Sequence, residues 1–257
     1  YTNSEWQEET TTYINRTFGF RPLLVRIFNQ LKYSLFSKSD AAGVVVAKNG
    51  DLIIESYIDE YIGKNFLGTS VINSNVTKIK QVQDSLKSRG IDLIVVFAPG
   101  KASFEPELIP DSYISNKKDS TNYGLYRELF SVNKINFLDL NAYFSNNRKF
   151  FEHKVFPRYG AHWNHYGMCI GLDTLLRYIE NLQKKNLADF DFSDIEYSKD
   201  LKNNDFDIGI LMNTLIPIEK DSNPYPKYKI QKDNKTELLD VLVVGDSYWW
   251  CITGENL

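Results

Sequence analysis

Histidine is scarce in this chain, with three copies in 257 residues, so a general base working near neutral pH has few candidates. Cysteine is scarcer: Cys169 and Cys251 make neither a metal motif nor the framework of a disulfide-stapled fold. They read as two buried small hydrophobes, with a bridge between them as the alternative. No run of about 18 apolar residues occurs, so no segment of the sequence is expected to span a bilayer. With a net charge of −3 and no local basic block, long-range attraction for nucleic acid or an anionic membrane face is not expected, and nucleic acid drops out as a partner. A starting methionine is also missing. Because the chain opens on Tyr1, an upstream signal peptide or membrane anchor is an expectation that composition does not decide.

What is present is ordinary for a globular protein: 42% hydrophobic and 25% charged residues, enough to bury a large core. Residues 5–36 read as helix in two pieces broken around Gly19 and Pro22. Leu23, Leu24, Ile27, Phe28 and Leu31 give the second piece an apolar face. GVVVAKNGDLIIES then alternates two β-rich runs around Asn49–Gly50, a hairpin signal. Ile72, Val76, Ile79, Val82 and Leu86 recur at helical spacing, predicting a helix over 71–89 closed by Gly90. The run IDLIVVFAP follows as a buried strand, and TNYGLYRELFSVNK with INFLDL repeats the helix-then-strand order that builds parallel sheets. Tyr166 to Gln183 form another helix. Residues 186–236 are polar and broken by Pro217, Pro224 and Pro226; an ordered excursion with short strands is expected, since Ile208, Ile210, Leu211, Leu215 and Ile216 need burial. The apolar run Leu238 to Val244 reads as a central strand buried on both faces. It delivers Gly245, Asp246 and Ser247 to a strand's carboxyl end, where open α/β sheets place ligands.

A serine becomes a nucleophile when a histidine takes its proton, a third group fixes the imidazole, and N–H donors meet the developing oxyanion. Ser247 fits the first position, although Gly-Asp-Ser alone is equally a turn with a helix cap. In YGAHWNHYG, Asn164 suits the cap of the next helix, which holds His162 in the turn with its ring projecting. His162 and His165 at i, i+3 would also suit a metal, but no acid or cysteine accompanies them locally, so no metal is assigned. His153, in FEHK, is most simply a solvated loop residue.

Four stretches together resemble a known group: FGFRPLLVRIFNQLKYSLF followed by VVVAKNGDLIIESYI; IVVFAPGKASFEPELIP; AHWNHYG; and VLVVGDSY. In this order they resemble the alginate O-acetyltransferase-like branch of the SGNH hydrolase superfamily, the AlgX and AlgJ type, in which the histidine motif precedes the Gly-Asp-Ser strand. The resemblance implies a three-layer, SGNH-hydrolase-like (flavodoxin-like) α/β fold with a central parallel sheet and an N-terminal helical and hairpin region. The organisation expected is one domain over 1–257: helices and hairpin at 1–65, core αβ units at 66–185, the excursion at 186–236, and the nucleophile strand with the start of a helix at 237–257.

Carried over by position, the resemblance implies Ser247 as nucleophile and His162 as general acid and base. Lys101 matches a characteristic lysine, read either as a group positioning an acyl donor or stabilising negative charge, or as a solvated loop residue. Gly245, Asn164, Tyr159 and Trp163 complete the expected oxyanion or substrate surroundings. Trp163, Trp249 and Trp250 suit stacking on sugar rings, with core packing as the other reading, preferred for Trp250. One departure matters. The acid of the family's Asp-x-His-Trp motif lies two residues before the histidine, where this chain has Gly160. Asp139, ending the INFLDL strand, is the best substitute by position, though it is equally placed to cap the following helix; a weaker dyad oriented by a carbonyl, Tyr159 or Asn164 is the second option. The implied activity is acetyl transfer to, or removal from, a polysaccharide through an acyl-serine, outside the cytoplasm, with an unidentified acyl donor, no cofactor, and a membrane-associated export or modification complex as setting. A non-catalytic polysaccharide-binding or scaffold module is the rival that Gly160 raises.

Overall fold

The computed structural model describes residues 4–253. Two helices open it, α1 (Ser4–Thr17) and α2 (Arg21–Phe36), the second with Pro22 in its first turn, where a missing N–H costs nothing. Strands β1 (Val44–Val46) and β2 (Leu52–Ile54) pair antiparallel, Val45 opposite Ile53, around the Asn49–Gly50 turn. Gly50 takes φ +84° there, a conformation that favours glycine. Helix α3 (Glu55–Ile62) follows directly, and its Ile58 and Ile62 pack against Val45 and Ile53.

Helix α4 (Thr69–Lys87) leads into β3 (Val95–Phe97), and the short α5 (Lys101–Phe104) and α6 (Asp111–Ile114) follow it. Helix α7 (Asn122–Val132) leads in turn into β4 (Phe137–Asp139), which lies parallel to β3 with Phe97 opposite Asp139. Ile72 and Val76 of α4 and Phe130 of α7 bury against Phe97 and Phe137, so the two αβ units share one core. Helix α8 (Leu140–Asn147) continues from β4, and α9 (His165–Gln183) starts at the Asn164 cap.

The polar stretch 186–236 is more regular than its composition predicts. Strands β5 (Asp189–Ser198) and β6 (Asn223–Gln231) pair antiparallel over most of their length, with a bulge between Asp191 and Asp194, and α10 (Asp207–Leu211) lies between them. Of the apolar residues expected to need burial there, Ile208 is buried, whereas Ile210, Leu211, Leu215 and Ile216 are exposed.

The run 238–244 departs from expectation. It pairs with no strand among the described residues, and Leu242 and Val244 are 92% and 95% exposed. An apolar run becomes a central strand only between two paired neighbours and under covering layers; the parallel sheet here has two strands, and the run lies outside it. The chain then enters helix α11 (Ser247–Thr253). The architecture is mixed α/β with a small parallel sheet and separate antiparallel pairs.

Candidate active site

Ser247 is the first residue of α11 and His162 lies three residues before α9, so two helix starts meet. Their side chains touch: His162 Nε2 is 2.7 Å from Ser247 Oγ, across 85 positions of sequence. The buried imidazole rests edge-on against Tyr248, with ring centroids 4.9 Å apart. Asp246 does not enter this contact. Its carboxylate accepts from the Tyr248 N–H, and its carbonyl from Trp249, which fixes the first turn of α11.

The carboxylate facing the other ring nitrogen comes from the polar excursion. Asp207 Oδ2 lies 3.6 Å from His162 Nδ1, longer than a hydrogen bond but within ion-pair distance. Its other oxygen accepts from the backbone N–H groups of Ala161, at 3.0 Å, and Ile208, at 2.8 Å, while Gly209 N–H donates to the Tyr159 carbonyl. The start of α10 is thus strapped to the residues on either side of Gly160, so the acid arrives from 47 positions downstream beside the place where the family motif carries it. Sequence reasoning missed Asp207. The 186–236 stretch holds many aspartates, and none stands at a spacing that singles it out.

Asp139 is held elsewhere. As the N-cap of α8 it accepts from Ala142 N–H and from the Tyr123 hydroxyl, and it pairs with Arg127 at 2.9 Å. This is the capping role that the sequence left open. Tyr123 beside it is pushed up to about 12 by burial and by this carboxylate.

Lys101 is not the solvated loop residue that was one of its two readings. Its Nζ is fully buried and donates to three carbonyls: Leu52 at 2.9 Å, Pro157 at 2.7 Å and Arg158 at 2.9 Å. An ammonium has three donors, and all are used. Lys101 therefore ties β2 to the loop that runs into His162. Burial pushes its pKa down to about 8, opposed by Asp51 at 4.0 Å.

The remaining expected surroundings make the following contacts. Asn164 is buried, accepts from Gly167 N–H and donates to the Lys154 carbonyl, so its amide caps α9. Trp163 packs between Phe144 and Tyr248, and a side chain at Gly171 would collide with its ring at 2.5 Å. Tyr159 is buried against Phe206 and pushed up to about 12 by desolvation. Gly245 permits close approach, since a Cβ there would lie 2.9 Å from that of Trp249. Trp250, by contrast, is 63% exposed rather than packed. His165 opens α9 with its ring 5.0 Å from Tyr225 and is pushed down to about 4 by burial, while His153 contacts the Tyr197 hydroxyl at 2.9 Å. No disulfide joins Cys169 and Cys251, both buried.

A buried imidazole between a serine hydroxyl and a carboxylate has the parts from which a serine attacks an acyl carbon, with the base able to take and return one proton. The family agrees with the geometry: residues 57–248 match the family described as SGNH hydrolase-like domain, acetyltransferase AlgX, and the chain belongs to it. It is 25% identical over 180 residues to the probable alginate O-acetylase AlgJ of Pseudomonas fluorescens, covering 69% of this chain and 43% of that one. The chain thus spans less than half the length of this curated relative. Among solved structures it is similar to AlgX of Pseudomonas aeruginosa, with a TM-score of 0.51 and 15% identity over 79% of this chain and 48% of that one. It also matches the O-acetyltransferase domain of Pseudomonas putida AlgJ, with a TM-score of 0.49 and 17% identity over 73% and 66% of the two chains. The fold is SGNH-like.

Proposed function

We propose that this chain carries out O-acyl chemistry on a carbohydrate, moving an acetyl group to or from hydroxyls of an exported or surface polysaccharide through an acyl-Ser247 intermediate. The contact of 2.7 Å between His162 Nε2 and Ser247 Oγ carries this reading. In the first step His162 takes the hydroxyl proton as Oγ attacks the acetyl carbonyl, and it returns that proton to the departing oxygen. In the second step a sugar hydroxyl or water gives its proton to His162 and attacks the acyl-serine, and the ester bond breaks as His162 returns that proton to Ser247 Oγ. Asp207 orients the ring and stabilises the imidazolium in both steps. The Ser247 N–H, at the start of α11, supplies one oxyanion donor.

An alginate-like polysaccharide fits the substrate named for the relative. An extracytoplasmic site, within a membrane-associated modification complex that supplies the acyl donor, is the matching setting. Residues 1–257 act as one SGNH-like unit in this reading, with Lys101 positioning the His162 loop. The test is covalent: a serine-directed fluorophosphonate should label the protein, and a small aryl acetate should be turned over. Ser247→Ala and His162→Ala should each remove both signals. Glycan binding without label or turnover would instead make the chain a binding module.

A further inference from the structure

Helix α2 is mounted with its polar side inward. Asn29 donates to the carbonyls of Met212 and Asn213, Arg26 donates to the Asn213 side chain, and Gln30 accepts from Ile216 N–H. These bonds fix α2 to the segment that follows α10. The opposite face, with Leu24, Phe28, Leu31 and Leu35 at helical spacing, is exposed at about half or more of each side chain, and no residue of α2 is buried. Ile210, in α10, and Ile216, in the segment to which α2 is bonded, are 71% and 65% exposed. Water is a poor partner for so much apolar surface in one region, which marks an interaction face.

Charge decides between occupants. Residues 10–39 contain Arg16, Arg21, Arg26, Lys32 and Lys38 and no Asp or Glu, in a chain whose net charge is −3. The cations are dispersed through the segment rather than gathered in one block. Arg16 lies just before α2, Arg21 at its start and Lys38 just after its end, all exposed, while Lys32 pairs with Asp40. A second copy docked face to face would set like charges against each other. An anionic lipid surface accepts both features, since the apolar ridge enters the acyl boundary and the long basic side chains reach the headgroups.

We propose that the exposed face of α2, with the adjoining 210–216 segment, is a peripheral docking surface for an anionic phospholipid membrane. It is too short and polar to cross one, and no described helix is long and apolar enough to do so. This inference is independent of the acyl chemistry. Its geometry does link the two, because the segment bonded to α2 follows directly on α10, whose first residue, Asp207, is the carboxylate facing His162.

The experiment is co-sedimentation of the chain with phosphatidylglycerol vesicles against phosphatidylcholine vesicles. Binding to the anionic vesicles should be about tenfold tighter or more, as expected for several basic side chains near such a surface. It should weaken between about 0.05 M and about 0.5 M salt. The triple variant Leu24→Gln, Leu31→Gln, Leu35→Gln keeps helix propensity and alters only exposed positions. It should lose about tenfold or more in anionic vesicle binding, with helical circular dichroism and melting temperature unchanged. No binding of the parent chain to anionic vesicles, or equal binding by the triple variant, would overturn the proposal. So would a dimer, seen by light scattering, that the triple variant disperses, since a second copy would then cover the face.

Discussion

His162 meets one partner at each ring nitrogen, and the two contacts differ in kind. The Ser247 hydroxyl is within hydrogen-bond reach, whereas Asp207 stands 3.6 Å off and spends its other oxygen on backbone N–H groups. In the proposed mechanism an acid so placed acts by selecting the tautomer and stabilising the imidazolium. Asp207→Asn is therefore expected to lower kcat by roughly 10²- to 10⁴-fold, with KM for an aryl acetate nearly unchanged. Asp139→Asn should leave kcat within about threefold and cost about 1 kcal/mol in urea unfolding, as befits a cap. Equal losses of kcat in both variants would contradict the assignment. Lys101 gives a prediction of another type. Its folded pKa of about 8 lies below the unfolded value of about 10.4, so between these the unfolded chain binds the extra proton and stability rises with pH. Below about pH 8 the buried charge carries its full cost. Lys101→Met should flatten this dependence in urea titrations across that window. At neutral pH it should also destabilise by about 3 kcal/mol, because three buried carbonyls lose their donor.

At the scale of elements, the site is built at helix starts. Asn164 closes the first turn of α9 and anchors the preceding loop to Lys154, fixing the backbone two residues beyond His162. Asn164→Ala should cost about 1–2 kcal/mol by calorimetry and reduce the aryl acetate rate more than Asp139→Asn does. Gly245 precedes α11 where a side chain would strike Trp249, so a larger residue must displace the turn that carries Ser247. Gly245→Val is expected to lower fluorophosphonate labelling with little change in Tm. The 238–244 run tests the element that departed most from expectation. With Leu242 and Val244 almost fully exposed, replacing both by Thr should change unfolding free energy by less than about 0.5 kcal/mol per site. Losses of about 2 kcal/mol or more would place these side chains in a core.

Across the whole molecule, the sequence by itself determined the order of the long helices and the strands through 183, though not the short α3, α5, α6 and α8, together with the Asn49–Gly50 hairpin, the Asn164 cap, and the two αβ units that give β3 and β4. These are encoded locally, by periodicity, turn residues and caps within a few positions of one another. It also nominated Ser247 and His162, because two short motifs stood in a shared order. Tertiary structure alone decided what those residues meet. Asp207 reaches His162 only because α10 is strapped across the Tyr159–Ala161 backbone, and Lys101 is a clamp only because Leu52 and the 157–158 carbonyls surround it. Which side of α2 faces outward was likewise undecided by its apolar spacing. Polar bonds to residues 212–216 set the orientation, and spacing along one helix says nothing of partners nearly two hundred positions away.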